Sequence, residues 1–147
     1  MTAFNKNDWP FDINFMHQKF GVHEWVKKAK DSGQLHKLEK FLEFRLNFLK
    51  EELEETRKAA LLDYEAAEVV DGLIDLCVVA IGTLDAFNVD AYKAWNEVHK
   101  ANMSKEPGVK PSRPNPLGLP DLIKPEGWKG PKHNKNIGII RDGIPKR

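Results

Sequence analysis

Residues 51–77 read EELEETRKAALLDYEAAEVVDGLIDLC. Glu52 and Glu55 are three apart, so on a helix they project from nearly one face, while Glu51, Glu54 and Arg57 point elsewhere. Glu68, Asp71 and Asp75 fall at i, i+3 and i+7, again on one face. The second group lies in the most hydrophobic part of the chain: between Val69 and Leu84 the only charged residues are Asp71 and Asp75. An uncompensated carboxylate buried beside such a surface costs several kcal/mol, roughly, even after relaxation. Something must neutralise these acids.

Working outward, Leu35, Leu38, Phe41, Leu42, Leu46, Phe48 and Leu49 recur at three-to-four spacing with no Gly or Pro between, which predicts one long helix over 35–62. Asp63 is a candidate cap for the next helix, whose apolar residues run from Val69 to Phe87 and cover so broad a face that this helix is expected at the centre. Two helices joined by a tight connection pack antiparallel, which would set Glu52 and Glu55 opposite Glu68 and Asp71 across a dry interior. After a break at Asn88, Asp90 is placed to cap a third helix carrying Tyr92, Trp95, Val98 and Met103 and ending near Lys105. Phe11 to Phe20 supports a shorter helix closed by Gly21, and Glu24 to Lys30 adds a turn or two.

From 106 onward the composition changes. Pro107, Pro111, Pro114, Pro116, Pro120, Pro125, Pro131 and Pro145 deny regular helix. Leu117, Leu119, Leu122, Ile123, Trp128, Ile137, Ile139 and Ile140 make the segment too apolar for a free linker. The reading is an all-α fold: an antiparallel bundle of four to five helices at 1–105, and a Pro-rich extended arm at 106–147 packed on the bundle or on a partner subunit. No strand pattern or internal repeat stands out. A bundle with one nearly all-apolar helix leaves a patch uncovered in a monomer, so an oligomer is expected.

Charge and cysteine usage bound the function. Residues 1–96 hold 12 Lys/Arg against 17 Asp/Glu, whereas 97–147 hold 11 against 5, so the net charge of +1 hides an acidic body and a basic arm. Such an arm gathers anions, and Lys110, Arg113 and Lys124 are placed to close over phosphates. Cys77 is the single cysteine, which rules out an internal disulfide and fits a reducing cytoplasm. The longest uncharged apolar run, Leu76 to Leu84, is far short of the ~20 residues that span a bilayer.

The ligand type narrows the neutralising ion. An all-oxygen carboxylate set with no His or Cys suits Mg²⁺ or Mn²⁺, disfavours zinc, and points to a phosphate-bearing substrate that completes the coordination. A di-iron bundle would want Glu-x-x-His repeats, and no histidine here lies three residues after a glutamate. Two structural alternatives stand beside this: Glu51–Glu55 as a solvated helix face, and Asp71 with Asp75 as a buried polar network paired with Arg45 or a lysine.

Glu52-Leu-Glu-Glu55, a twelve-residue spacer and Glu68-Val-Val-Asp71, continued by Gly72-Leu-Ile-Asp75-Leu and later by Glu97-Val-His-Lys-Ala-Asn102-Met-Ser-Lys105, resemble the MazG-like, phosphoribosyl-ATP pyrophosphohydrolase-like enzymes of the all-α NTP pyrophosphatase superfamily, in the branch common in phage and bacterial genomes. The resemblance runs from about Phe15 to Trp128. It implies hydrolysis between the α and β phosphates with Mg²⁺ as cofactor, Glu52, Glu55, Glu68 and Asp71 as the catalytic, metal-holding acids, and Asp75 as a further ligand or an outer partner. It also implies a homodimer or homotetramer, working in the cytoplasm, or in the host's if the gene is a phage's. Asn102 and Lys105 are expected to contact nucleotide, and Arg45, on the face of Glu52, is either a charge partner of the acids or a phosphate clamp. Phe15, His17 and Phe20 are candidate walls of a base pocket, although aromatic residues at this spacing more commonly pack the interior.

The substrate expected is a nucleoside triphosphate, with phosphoribosyl-ATP as the alternative. The competing class is a non-catalytic helical module that binds nucleic acid or protein through the basic arm. Nucleic acid is the weaker expectation, because the acidic body works against it.

Overall fold

The computed structural model describes residues 6–112, 117–118 and 121–145. Five α-helices account for most of them: α1 Trp9–Lys19, α2 Val22–Asp31, α3 Leu35–Lys58, α4 Ala66–Ala86 and α5 Ala91–Met103. The only sheet among the described residues is a short antiparallel pair, β1 Glu106–Gly108 with β2 Asp121–Ile123, Pro107 standing opposite Leu122. The all-α expectation holds, and the absence of strands expected beyond 106 is corrected. Three-residue strands are too short to show a period in sequence. Arg113, Pro114, Pro116, Leu119 and Pro120 lie outside the described residues.

The described residues fall into two compact units, one within Met1–Ala91 and Ile137–Arg147, the other within Tyr92–Asn136. The first contains α1 to α4. Asp8 caps α1 by accepting from the Phe11 backbone N–H at 3.1 Å, with Pro10 in the first turn, where its missing donor costs nothing. Gly21 ends α1 in the left-handed conformation, as its lack of Cβ permits. α3 does not stop cleanly at Lys58. It continues as a single π-helical turn, Ala59–Asp63, and breaks at Tyr64, which is left-handed at φ 54°. The cap expected at Asp63 is therefore corrected: Asp63 is bound by Lys58 Nζ at 2.8 Å, and Glu65 precedes the first turn of α4 without a side-chain cap.

α3 and α4 run antiparallel, and two contacts fix their register. A Cβ on Gly72 would sit 2.0 Å from Thr56 Oγ1, so only glycine lets the helices approach so closely. Further along, Arg45 of α3 donates from Nε to Thr83 Oγ1 at 3.0 Å and from Nη2 to the Val79 carbonyl at 2.9 Å. Gly82 leaves the room, since a Cβ there would meet Arg45 Nη2 at 2.5 Å.

The core lies toward the C-terminal end of α4. Phe87 and Leu38 are its fully buried large side chains, joined by Val26, Ala29 and Ala86, with Phe41, Leu42, Ile139 and Ile140 packed around them. The end of the arm completes it. Ile139 N–H donates to the Phe87 carbonyl at 2.8 Å, the 3₁₀ turn Ile140–Gly143 packs on α3, and Lys30 holds Asp142 at 2.6 Å. Gly138 (φ 52°) passes so near that a Cβ would lie 2.1 Å from the Phe87 carbonyl oxygen.

The second half of α4 is central, and in its first half only Gly72 is buried. Gly72, Val79, Gly82, Thr83 and Ala86 are buried, but Val70, Leu73 and Ile74 are 64%, 52% and 45% exposed. With Leu53, Leu61, Leu62 and Tyr64 they leave an open apolar surface at this end of the α3–α4 pair. In the second unit Trp128 Nε1 donates to the Ala101 carbonyl (3.0 Å) and to Ser104 Oγ (2.9 Å), while Lys132 N–H reaches Glu97.

Replacing Gly72 with valine should force α3 and α4 apart at Thr56. We expect destabilisation of about 1–3 kcal/mol, read as a lower denaturant midpoint with the helical circular dichroism retained. Unchanged stability would show that the helices have slack at this crossing.

Candidate active site

The Thr56–Gly72 contact sets the acids of the two helices at one level. Glu52 lies one turn before Thr56, and Asp75 nearly one turn after Gly72. Glu52 feels the result: partial burial and the negative charges of Asp75, Glu55, Glu51 and Asp71 raise its carboxyl above the ordinary value. Glu68, a turn before Asp71, is not among the principal causes. Among the described residues no lysine or arginine forms an ion pair with Glu52, Glu55, Glu68, Asp71 or Asp75, and Lys50 and Lys58 of α3 pair with Glu54 and Asp63 instead. Uncompensated negative charge held by two rigid helices, with oxygen donors alone, is a donor set that suits a hard divalent cation.

The expected dry interior is corrected. Glu55, Glu68 and Asp71 are exposed and only Glu52 and Asp75 are partly covered, because the apolar residues around them, Val70, Leu73 and Ile74, are themselves uncovered in the single chain. Among the described residues no three of these acids bring carboxylate oxygens within 4.8 Å of one another; His17, His23 and Asp85 do. Glu52, Glu55, Asp71 and Asp75 thus share a field without closing on a common point.

Arg45 is half-buried, and burial lowers its pKa. It donates to Thr83 Oγ1 and the Val79 carbonyl, so it ties α3 to α4 beyond the acids. Phe15 and Phe20, expected more as core than as pocket wall, are 63% and 69% exposed. α1 instead turns Ile13 and His17 inward, because Asp85 of α4 offers His17 a partner. Asn102 and Lys105 belong to the second unit, where Asn102 is exposed and Lys105 lies 5.3 Å from the Trp128 ring centroid, with Lys124 4.9 Å from the same ring.

Asp85 is the residue that sequence reading missed. One carboxylate gathers three elements: Asn14 Nδ2 of α1 donates to Oδ1 at 2.8 Å, while His17 Nδ1 (2.8 Å) and His23 Nε2 of α2 (2.6 Å) both meet Oδ2. An aspartate near the end of an apolar helix, with two histidines six residues apart upstream, was the available signal. Burial alone would raise the Asp85 carboxyl, but the hydrogen bonds from Asn14, His23 and His17 outweigh it and hold it below its ordinary value. His17 is pushed down from 6.5, chiefly by burial, with Arg45 and His23 adding to the effect against the pull of Asp85.

Both shifts have one sign. A His17 that titrates lower in the folded chain than in the unfolded one contributes stability that is present above pH ~6.5 and falls away as pH drops from there through the folded value. Asp85 acts likewise below pH ~3.8. The melting temperature should therefore fall between pH 7.5 and 5.5. His17→Gln should be less stable at pH 7.5 yet lose less over that interval, and equal slopes for the two proteins would refute the assignment.

Comparison with known proteins agrees with this architecture. No curated protein matches the chain. A family model described as phosphoribosyl-ATP pyrophosphohydrolase matches residues 23–102, more than half of the 147 residues and a span that includes every acid discussed above except those of the termini and the arm. The chain belongs to the phosphoribosyl-ATP pyrophosphohydrolase family, within the MazG-like all-α NTP pyrophosphatases: nucleotide pyrophosphohydrolases, which are hydrolases acting on acid anhydrides.

Proposed function

We propose that the protein is a Mg²⁺-dependent pyrophosphohydrolase that cleaves a nucleoside triphosphate to the monophosphate and pyrophosphate. The observation that carries this is the set of acids that α3 and α4 bring side by side, where burial and the neighbouring carboxylates raise Glu52 and where, among the described residues, no lysine or arginine pairs with Glu52, Glu55, Glu68, Asp71 or Asp75. Glu52, Glu55, Glu68 and Asp71, with Asp75 as a further ligand or outer partner, would hold the ions, Mn²⁺ substituting. Bound there, magnesium supplies charge neutralisation and a template for the phosphate chain.

The chain's own part is positional and basic. A carboxylate of the set accepts a proton from water as the water oxygen attacks the α phosphorus, and the bond to the bridging oxygen breaks to release pyrophosphate. Phe20, Asn102 and Lys105 are the candidates for direct contact with the nucleotide. Arg45 and His17, bonded to Thr83 and Asp85, serve the site by fixing α1, α3 and α4. Phosphoribosyl-ATP is the second reading, favoured by the description of the matching family model; it presents the same anhydride to the same acids.

A homodimer or homotetramer fits the open apolar surface formed by Leu61, Leu62, Val70 and Leu73, and a cytoplasmic setting fits the free, half-buried Cys77. Among the described residues no helix is long and apolar enough to cross a membrane. Covering that surface with a second copy would bury the acids' surroundings and strengthen their hold on an ion. Light scattering at micromolar concentration should give a multiple of the 16.8 kDa chain mass, and a monomeric mass would remove this part of the reading.

The deciding experiment assays pyrophosphate release from the common nucleoside triphosphates and from phosphoribosyl-ATP, with Mg²⁺, Mn²⁺ or chelator. Release should require metal. Glu55→Gln and Asp71→Asn should each lower kcat by about 100-fold or more, with unchanged helical signal and an equal or higher melting temperature in chelator. Turnover in chelator, or salt-sensitive nucleic-acid binding without any turnover, would overturn the proposal.

A further inference from the structure

We propose that His17, His23 and Asp85 form a second metal site, for one transition-metal ion of the zinc class, chemically distinct from the all-oxygen acids of α3 and α4. His17 Nδ1, His23 Nε2 and one Asp85 oxygen lie within 4.8 Å of one another, and three different helices supply them. Two imidazoles and a carboxylate are borderline donors that select zinc, cobalt or nickel over magnesium, and three protein ligands leave a fourth position for water. Asn14, donating to the second Asp85 oxygen at 2.8 Å, holds the carboxylate in the manner of the outer partners of metal ligands.

The geometry is near what an ion requires. Ligand atoms about 2.0–2.1 Å from a tetrahedral ion stand about 3.3 Å apart. Here the nitrogens lie 2.8 and 2.6 Å from the shared oxygen, so small side-chain rotations open the site. Each ring now faces the carboxylate with the nitrogen that would ligate; on binding, any proton on that nitrogen passes to the ring's other nitrogen or to solvent and the lone pair turns to the metal. His17 is 5% and Asp85 13% exposed at the side chain, while His23, at 31%, gives solvent access. The Arg45 guanidinium acts on His17 from α3 and works against a dication, so it weakens the site without removing a ligand. Such an ion would staple α1 and α2 to the end of α4, beside the core.

The test uses the full chain, stripped of metal and titrated with Co²⁺ and Zn²⁺ in a Glu55→Gln/Asp71→Asn background that disables the acids of α3 and α4. Cobalt should bind at one ion per chain and give paramagnetically shifted imidazole N–H resonances from two histidines. Zinc at 100 times its Kd should raise the melting temperature by roughly 5–10 °C. His23→Ala, at the half-exposed ligand and so expected to fold, should abolish both effects, and Mg²⁺ should produce neither. Binding that persists in His23→Ala, cobalt bound without shifted imidazole protons, or no binding in a folded protein would each overturn the proposal and leave the cluster as a hydrogen-bonded clasp.

Discussion

The close crossing of α3 and α4 at Thr56 and Gly72 governs the rest of the molecule. Because a glycine hydrogen takes the place of a Cβ that would otherwise strike Thr56 Oγ1, the two backbones approach far enough to place Glu52 and Glu55 beside Asp71 and Asp75. Thr56 is itself turned back onto the Glu52 carbonyl at 2.7 Å, so its hydroxyl is satisfied in a contact that admits no water. A larger residue at 72 would alter the spacing of every acid pair together. The Arg45 bonds to Thr83 and the Val79 carbonyl fix the same register from the other end.

The two ends of this helix pair treat charge in opposite ways. Toward the core, polar groups are matched: Arg45 by a hydroxyl and a carbonyl, Asp85 by an amide and two imidazoles, and among the described residues no buried side-chain nitrogen or oxygen lacks a partner. Toward the π turn, Glu52, Glu55, Asp71 and Asp75 lie in one another's field, and among the described residues no lysine or arginine pairs with them. The matched end holds the fold, and the unmatched end stores repulsion that favours whatever positive charge is brought to it.

Much of this was legible in sequence, for a definite reason. Helical periodicity and the spacing of Glu52, Glu55, Glu68, Asp71 and Asp75 are local properties, and α3, α4 and α5 begin and end within a few residues of where the pattern puts them. What escaped was non-local. Asp85 gains its meaning from His17 and His23, more than sixty residues away, and a carboxylate at the end of an apolar run shows nothing of those partners beforehand. Phe15 and Phe20 carried a helical spacing that normally means core, but α1 spends its inner face on Ile13 and His17. Nor could composition show that the cover of the acids would be missing from the single chain, since an apolar face reads the same whether its partner is the same molecule or another. The π turn and the three-residue strands leave no periodic trace at all.

The backbone bond from Ile139 to Phe87 has a consequence for how the chain can vary. Polypeptide leaves the first unit after Ala91 and re-enters it at Ile137, two residues before the bond to Phe87, so residues 92–136 form an excursion from that unit. The entropy of closing such an excursion grows only with the logarithm of its length, about 0.6 kcal/mol per doubling. Insertions in the loops that follow Lys105 within this excursion should therefore cost the first unit little closure entropy, while Asn102 and Lys105 stay with α5 and the turn that ends it.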